Sequence, residues 1–405
     1  MLLMFEGPTD ERPEPRVEMT EPADIGIVGA GPAGARAAEL LASSGRRVVV
    51  LDPKAPWEKP CGGGLTPPAF DAMPELEELK PLARRTRSVR VESQLGRGFV
   101  ITLERPIWMV SRRTLGEWQL RRALAAGAVH LPMKVDRIER AECGNGWRLY
   151  TQAGDIHVRI LVGADGAASL VRRVAAPGFK IELEPTRVAY PRGPGPTPDT
   201  ALLRFYDDVA GYLWDFPRPD HRSVGIVVPQ DTWRRPRLDL EIDGYRTHAG
   251  CPDEEAVDRA GAVIGTAQFG HGNYSRVAGP DFALIGDAAG FADPLTGEGI
   301  QNALHSAGLL AEGISKGGPA VYADLARQAF EREFRSARLV RRCLLESGLG
   351  MKILRRGFEH RVSWAFVAAC VNELNDRRGG LGGLLGRWIR ANRPGSGDPA
   401  DRSNP

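Results

Sequence analysis

The hydrophobic and polar positions of this chain change period several times, and each change predicts a different element. Between Asp24 and Pro53 an apolar run (Ile25, Ile27, Val28) leads into glycines and an alanine- and leucine-rich stretch of helical character. A second apolar run, Val48 to Leu51, follows. Short apolar runs bounded by glycine predict buried strands of a parallel sheet. From Thr86 to Met109 the period drops to two (Val89, Val91, then Phe99, Ile101, Leu103), which predicts strands with one covered face. Val110 to Ala126 carries a helical stripe of Leu115, Trp118, Leu120 and Leu124.

Alternation resumes around Val135 and Ile138 and from Trp147 to Val162, predicting a meander. It closes on Leu161-Val162-Gly163-Ala164-Asp165-Gly166, a strand entering a glycine turn, with Arg172 and Arg173 on the helical segment that follows. Val188 to Val228 predicts strands of a second sheet, with prolines between 191 and 198, 217 and 219, and 229 and 236 marking loops. The chain returns to the first sheet at Phe282 to Asp287, and a helix is predicted from about Ile300 to Ile314. From Tyr322 to Ile389 the pattern is mostly helical, broken at Gly348, Gly350 and Gly379 to Gly383. Prolines among charges in residues 1–22 and a polar end at residues 393–405 predict disordered tails.

Composition narrows the class. A chain of 405 residues with 42% hydrophobic and 26% charged positions is an ordinary globular protein, long enough for more than one domain. A net charge of +3 argues against a nucleic-acid binder. No apolar run reaches membrane-spanning length, and Met1 to Phe5 is too short for a signal-peptide core, so a cytoplasmic location is expected. The five cysteines, Cys61, Cys143, Cys251, Cys343 and Cys370, are scattered without CxxC spacing and predict neither a metal site nor a disulfide framework.

The chemistry begins at Gly29-x-Gly31-x-x-Gly34. The first glycine permits a tight strand-to-helix turn, Gly31 allows backbone to approach a pyrophosphate, and Gly34 allows close helix–strand packing. The helix start offers unpaired N–H groups to the phosphates. Asp52 ends the second strand, where a carboxylate accepts hydrogen bonds from ribose hydroxyls, so FAD or NAD fits better than NADP. Trp57 to Leu65 contains Cys61, Gly62, Gly63 and Gly64, a loop able to lie flat against a planar ligand or to serve as a plain surface loop. Arg112 stands at a helix entrance and is the arginine most suited to a ligand.

A second glycine–acid element decides between the two nucleotides. Gly286-Asp287 ends a strand, and Gly297, Gly299 and Ile300 open the next helix. A carboxylate there can hold a ribityl or ribose hydroxyl, and the helix start can face the pyrimidine edge of an isoalloxazine. Two such elements so far apart in sequence suit the long FAD molecule; NAD alone would not explain the second.

The segments GAGPAG, the Cys61 loop, VSRRTLGEW, GADGAASLVRR and IGDAAGFADPLTGEGI resemble the FAD-dependent group that includes para-hydroxybenzoate hydroxylase and geranylgeranyl reductases. Pro60-Cys61-Gly62-Gly63-Gly64 is similar to the reductases' PCGG-type loop, and Tyr212-x-Trp214-x-Phe216-Pro217 is similar to their YxWxFP segment. The likeness spans roughly Asp24 to Gly313. It implies an α/β fold: a Rossmann-type FAD-binding domain with an inserted, mostly antiparallel β-sheet substrate domain and C-terminal helices. The corresponding segments are residues 23–85, 111–175 and 279–318 for FAD, 86–110 and 176–278 for substrate, and 319–392 for the helices.

Carried over residue by residue, the resemblance places FAD contacts at Gly29, Ala33, Gly34, Asp52, Cys61, Gly62, Gly64, Arg112, Asp287, Gly299 and Ile300, with Val135 near the adenine. Tyr212, Trp214 and Phe216 would line a cavity for an isoprenoid or lipid. Gly116 stands where the family often has an aspartate, which leaves the capping of that helix in question. The implied reaction saturates C=C bonds of a prenyl chain, with NADPH or a reduced ferredoxin-type protein as electron source. Cys61 is either a proton donor or a small packing residue, the latter preferred. The rival readings are an FAD-dependent monooxygenase or halogenase and a non-catalytic electron-transfer module. Between Ala326 and Trp364, arginines and lysines mix with apolar residues; this reads as a peripheral membrane-contact surface or, preferably, as a core-packing helix with a solvated basic face.

Overall fold

The computed structural model describes residues 22–347 apart from residues 143, 194–196, 207, 231, 233, 250–257 and 268–272, together with residues 369–373 and 375–376. The expected tails (except Pro22), the glycine breaks from Gly348 onward, Cys143, Cys251 and the basic residues Lys352, Arg355 and Arg356 lie outside the described residues.

The chain opens with β1 (Ala23–Val28), α1 (Pro32–Ser43) and β2 (Val48–Leu51), then β3 (Gly64–Leu65) and α2 (Pro67–Ala72). A hairpin of β4 (Arg84–Ser93) and β5 (Gly98–Met109) leads into α3 (Arg112–Ala125) and β6 (Val129–Leu131). The meander β7 (Arg137–Arg140), β8 (Trp147–Thr151) and β9 (Gly154–Gly163) precedes α4 (Leu170–Ala175). Next come β10 (Ile181–Ala189), β11 (Thr200–Phe205), β12 (Tyr212–Pro217), β13 (Arg222–Val227), α5 (Arg235–His248) and β14 (Arg259–Ala267). The chain closes with β15 (Phe282–Leu284), α6 (Ile300–Ser315) and α7 (Pro319–Arg341).

These strands form two sheets. The first runs β6-β2-β1-β9-β8-β7, with β15 beside β9. β1 is parallel to both β2 and β9, in registers Val28↔Leu51 and Val28↔Gly163, so three strand ends arrive together at one edge. β15 joins them through Leu284↔Gly163. A parallel sheet binds ligands in the crevice beyond such carboxyl ends. The continuous apolar runs of β1 and β2 are buried on both faces, as the pattern predicts. α1 supplies small residues to this sheet (Ala35, Ala37 and Ala38 are buried), and α6 and α7 cover it further. Phe291 lies 4.5 Å from Phe330 between ring centroids, and the Tyr322 hydroxyl donates to the Leu284 carbonyl at 2.8 Å.

The second sheet runs β14-β10-β13-β12-β11-β4-β5-β3 and is antiparallel except where β11 meets β4. β3, only two residues long, brings the Cys61 loop onto this sheet by pairing Gly64 with Met109. α5 covers one face with Leu238, Ile242 and Tyr245. Burial of each contributes about 1.5–3 kcal/mol, enough to hold an otherwise polar helix in place.

Five elements are absent from the sequence expectations: β3 and α2, which follow a stretch that reads as a glycine-rich loop, and β6, α5 and β14. β6 has three residues, too few to show a period, and α5 follows a proline cluster that reads as loop. The capping question at α3 is settled by Ser111, whose hydroxyl accepts the Thr114 N–H at 3.0 Å, so Gly116 is not needed as a cap.

Candidate active site

The strand ends of the first sheet and the apolar face of the second enclose one continuous cavity of about 1620 Å³. Ordinary small-molecule sites hold about 300–1,000 Å³, so there is room for two ligands end to end.

At one end of the cavity β1 turns into α1. Gly29 has φ +99°, and a Cβ there would sit 2.4 Å from the Ala164 carbonyl oxygen, so only glycine is accommodated. At Gly31 an added Cβ would meet nothing within 4 Å; its space opens into the cavity. α1 begins with Pro32 and has no side-chain cap, leaving its first N–H groups to a ligand. Gly34 does not line the cavity. A Cβ on it would lie 1.9 Å from the Gly29 carbonyl oxygen, so its work is helix-on-strand packing.

Asp52 is held by its own surroundings: Oδ2 accepts the Ala30 N–H at 2.9 Å, and Oδ1 accepts those of Lys54 and Ala55 at 2.9 and 3.2 Å. The carboxylate is thereby fixed beside the glycine turn, with lone pairs left for hydroxyl donors. Val135 lines the cavity close to this end, as do Ala33 and Arg112. Arg112 is 8% exposed, and its Nε finds no acceptor among the described residues. A buried donor left open in a cavity suits an anionic or hydroxyl-rich ligand.

At the second glycine turn, Asp287 pairs with Lys59 across 2.9 Å. Gly299 is the cap residue of α6, and its missing side chain keeps Asp287 Oδ1 accessible, since a Cβ would stand 3.0 Å from it. Ile300 starts α6, and both residues line the cavity. The second glycine turn is tied to the Asp165-Gly166 turn by the buried Arg172, which donates to the Ala167 and Ala288 carbonyls at 2.6 and 2.9 Å. Asp165 accepts from Ser169, Leu170 and Val171 and caps α4. Burial pushes its carboxyl above the usual range.

The Cys61–Gly64 loop forms the wall where the two halves of the cavity meet. Gly62 lies flat against Phe216, with a hypothetical Cβ 2.4 Å from the ring. Gly63 has φ +78° and passes close to Val110. Cys61 is half-buried, and its Sγ accepts the Gly63 N–H at 3.4 Å. Beyond the loop, Tyr212, Trp214 and Phe216 alternate along β12 onto one face, ring centroids 6.2 and 6.5 Å apart. Period two puts them together, and Leu213 and Asp215 face the other way. The Tyr212 hydroxyl donates to the Thr296 carbonyl. Burial pushes that phenol well up, so it stays protonated and committed as a donor. Trp214 Nε1 donates to Ser223 Oγ at 3.1 Å. Val89, Val91 and Leu203 continue the apolar wall, and α7 and the short helical piece at Cys370 close it. Burial pushes the Cys370 thiol up to about 11.

Of the residues expected from sequence, all but Gly34 border this cavity. Several others there escaped sequence reasoning. Gln119 is 1% exposed with Oε1 unpartnered, and its only signal is a polar residue one helical turn beyond Leu115. Lys59 also lines the cavity, and Glu58 stands just behind it in the approach to the Cys61 loop. Glu58 accepts the Arg112 and Arg113 N–H groups and the Arg218 guanidinium. Burial opposes its charge, but those donors outweigh it and hold its carboxyl below the usual range.

Comparison with known proteins agrees with this geometry. Residues 22–190 match the FAD binding domain family. The geranylgeranyl diphosphate reductase of Rhodobacter capsulatus is 32% identical over 334 residues, covering 76% of this chain and 80% of that protein. This chain belongs to the geranylgeranyl reductase family of FAD-dependent oxidoreductases. The menaquinone reductase of Mycolicibacterium smegmatis is similar to it as well, 32% identical over 348 residues, 79% of this chain and 84% of that one. Among solved structures, a geranylgeranyl bacteriochlorophyll reductase-like protein from Thermoplasma acidophilum shares the fold with a TM-score of 0.72, at 20% identity over 85% of this chain and 92% of that one. The enzyme is therefore an FAD-dependent oxidoreductase, and the open glycine turn, the uncapped α1 and the orphaned Arg112 Nε fit that cofactor.

Proposed function

We propose that this enzyme saturates C=C bonds in a geranylgeranyl-type prenyl chain carried by a lipid or isoprenoid. The observation that carries the reading is the continuity of one cavity from the Gly29 turn to the aromatic face of β12. In this reading residues 23–85, 111–175 and 279–318 hold the cofactor, residues 86–110 and 176–278 enclose the substrate, and α7 with the described residues around Cys370 closes over it.

When bound, FAD in its reduced form would supply the hydride for one alkene carbon, while the other carbon takes a proton that derives from solvent, so that each bond gains two hydrogens. The chain's own residues do the rest. The α1 N–H groups and Gly31 would hold the pyrophosphate, Asp52 the adenosine ribose and Asp287 a ribityl hydroxyl, with Val135 serving the adenine and Arg112 and Gln119 the linking chain. The N–H groups at Gly299 and Ile300 would serve the pyrimidine edge, where a helix start favours the negative charge of the reduced state. Tyr212, Trp214 and Phe216 orient the alkene and exclude water, and apolar burial at about 25 cal/mol per Å² supplies most of the substrate's binding. Cys61 packs beside the reacting carbons rather than supplying their proton. NADPH or a reduced ferredoxin-type protein is the electron source.

A cavity of this size speaks against a mere electron-transfer module. A monooxygenase or halogenase remains the rival chemistry, and an anaerobic reaction separates them. The reduced enzyme is mixed without oxygen with geranylgeranyl compounds, and the products are weighed by mass spectrometry. A gain of two hydrogens per bond supports the reading; a product formed only in air and carrying a hydroxyl or halogen overturns it.

A lipid substrate also implies contact with a membrane surface. No helix among the described residues is long and apolar enough to cross one. Within α7, Phe330 and Phe334 are buried, Arg338 and Arg341 are paired with Glu182 and Glu184, and Arg335 with Glu331, so any lipid contact falls to exposed residues such as Arg332 and Leu339. Co-sedimentation with anionic liposomes that weakens as salt rises is the expected result, and its absence rejects the membrane contact.

A further inference from the structure

We propose that Arg218 is a positioning residue for the reaction, fixing the Cys61–Gly64 loop against β12 in the shape that flavin and alkene require. The proposal rests on the prenyl-reductase reading of the same cavity and adds a residue to it. Arg218 follows Pro217 at the end of β12, immediately after the three aromatic residues that face the cavity. Its side chain is 0% exposed. A guanidinium so deeply buried is costly unless its charge is neutralised and its donors are matched.

Arg218 meets both needs, and its donors show where the restraint goes. Nη1 donates to Glu58 Oε1 at 2.6 Å and to His221 Nε2 at 3.0 Å. Nη2 donates to the Cys61 carbonyl at 2.6 Å, and Nε reaches the Gly62 carbonyl at 3.4 Å. The ring of Tyr190 lies 5.3 Å from the guanidinium carbon. Arginine has only donors, so His221 Nε2 must accept, which leaves its Nδ1–H for Asp220 at 2.7 Å. A structural ion pair needs only Glu58. Here the planar fork is divided between that carboxylate and the backbone of the loop, an arrangement lysine cannot copy.

The fork also joins three walls of the cavity. Ser223 Oγ donates a second hydrogen bond to the Cys61 carbonyl at 2.8 Å while accepting from Trp214, so the loop and the aromatic strand are braced twice. Glu58, on the far side, accepts the first N–H groups of α3 and so holds the segment that presents Arg112. Releasing Arg218 therefore loosens the loop, the β12 face and the α3 entrance relative to one another.

The test uses the FAD-loaded enzyme and two substitutions, Arg218→Lys and the milder His221→Leu, which removes one acceptor and leaves Glu58 in place. Both are expected to bind FAD yet to change the visible circular dichroism and the reduction potential of the bound flavin. Anaerobic reoxidation by a geranylgeranyl compound should slow about a hundredfold in R218K, the usual effect of an ångström-scale misplacement, with little change in the concentration dependence. H221L should shift the same signals in the same direction by less, and it carries the test alone if R218K yields no folded protein. Unaltered dichroism, potential and rate in a folded variant overturn the proposal, as does a slower rate that follows only loss of FAD or of thermal stability. The spectroscopic signals need no substrate. A wild-type enzyme that ignores prenyl compounds would defeat the substrate reading and leave Arg218 to be judged on those signals.

Discussion

Lys59 Nζ and Asp287 Oδ2 stand 2.9 Å apart although 228 residues separate them, joining the approach to the Cys61 loop to the second glycine turn. The pair lies where the two sheets meet around the cavity. If Asp287 also accepts a ribityl hydroxyl, Asp287→Ala removes a charge-assisted hydrogen bond worth about 1.5–3 kcal/mol. The FAD dissociation constant should then rise about 10- to 100-fold in a fluorescence titration. An unchanged constant would remove Asp287 from the cofactor site.

Gly31 and Gly34 should respond oppositely to the same substitution. Gly31→Ala places a methyl group in open space at an ordinary φ of −67°, so the apoprotein should melt as before but lose most of its FAD affinity. Gly34→Ala drives a methyl group to 1.9 Å from the Gly29 carbonyl oxygen, so its melting temperature should fall in the absence of any cofactor. Thermal scans of the apoproteins and an FAD titration separate the two.

Ala201 borders the apolar lobe, next to Leu202 and Leu203 on β11. Ala201→Phe should fill part of that lobe while leaving the cofactor end untouched. FAD binding should be retained and prenyl-dependent reoxidation should fall at least about tenfold, with the loss greatest for the longest chains, as expected when a ligand pocket loses volume. Equal activity across chain lengths would show that the substrate lies elsewhere.

Cys61 distinguishes packing from proton donation. As a packing residue it should tolerate Cys61→Ala with a rate loss below about tenfold, whereas removal of a general acid costs about 10²–10⁴-fold. Single-turnover rates in the two proteins decide between the roles.

Glu58 gives a pH dependence whose sign follows from its lowered folded-state pKa. The Arg218 and α3 N–H contacts stabilise the fold fully above the unfolded glutamate value of about 4.3, and this contribution is lost as pH falls through the lower folded value. Wild type should therefore lose melting temperature on acidification, and Glu58→Gln should start lower near neutrality and show a shallower acid limb.

Much of the cofactor end was legible in the chain because its chemistry is local. Gly29, Gly31, Gly34 and Asp52 lie within one βαβ length, and the turn that needs them is built by neighbours in sequence. The aromatic face of β12 came through the resemblance to the reductases' YxWxFP segment, and period two explains why Tyr212, Trp214 and Phe216 share one face. What stayed hidden depends on distant partners. Arg218 looks like any loop arginine until folding brings Glu58 and the Cys61 carbonyl to it from about 160 residues away. Gln119 sits in a helical stripe whose spacing shows burial but not which cavity the amide meets. Among its described residues α5 buries the apolar Leu238, Ile242 and Tyr245, and the prolines before it masked that spacing.

The central claim is that flavin and prenyl chain meet in one cavity at the Cys61 loop. Stopped-flow absorbance tests it most directly: the FAD-loaded enzyme is reduced, kept free of oxygen and mixed with a geranylgeranyl compound or its fully saturated counterpart. The account predicts that the yellow oxidised flavin returns in a first-order phase with the unsaturated compound and not with the saturated one. Flavin that stays bleached with both, and recovers only when air is admitted, would contradict it.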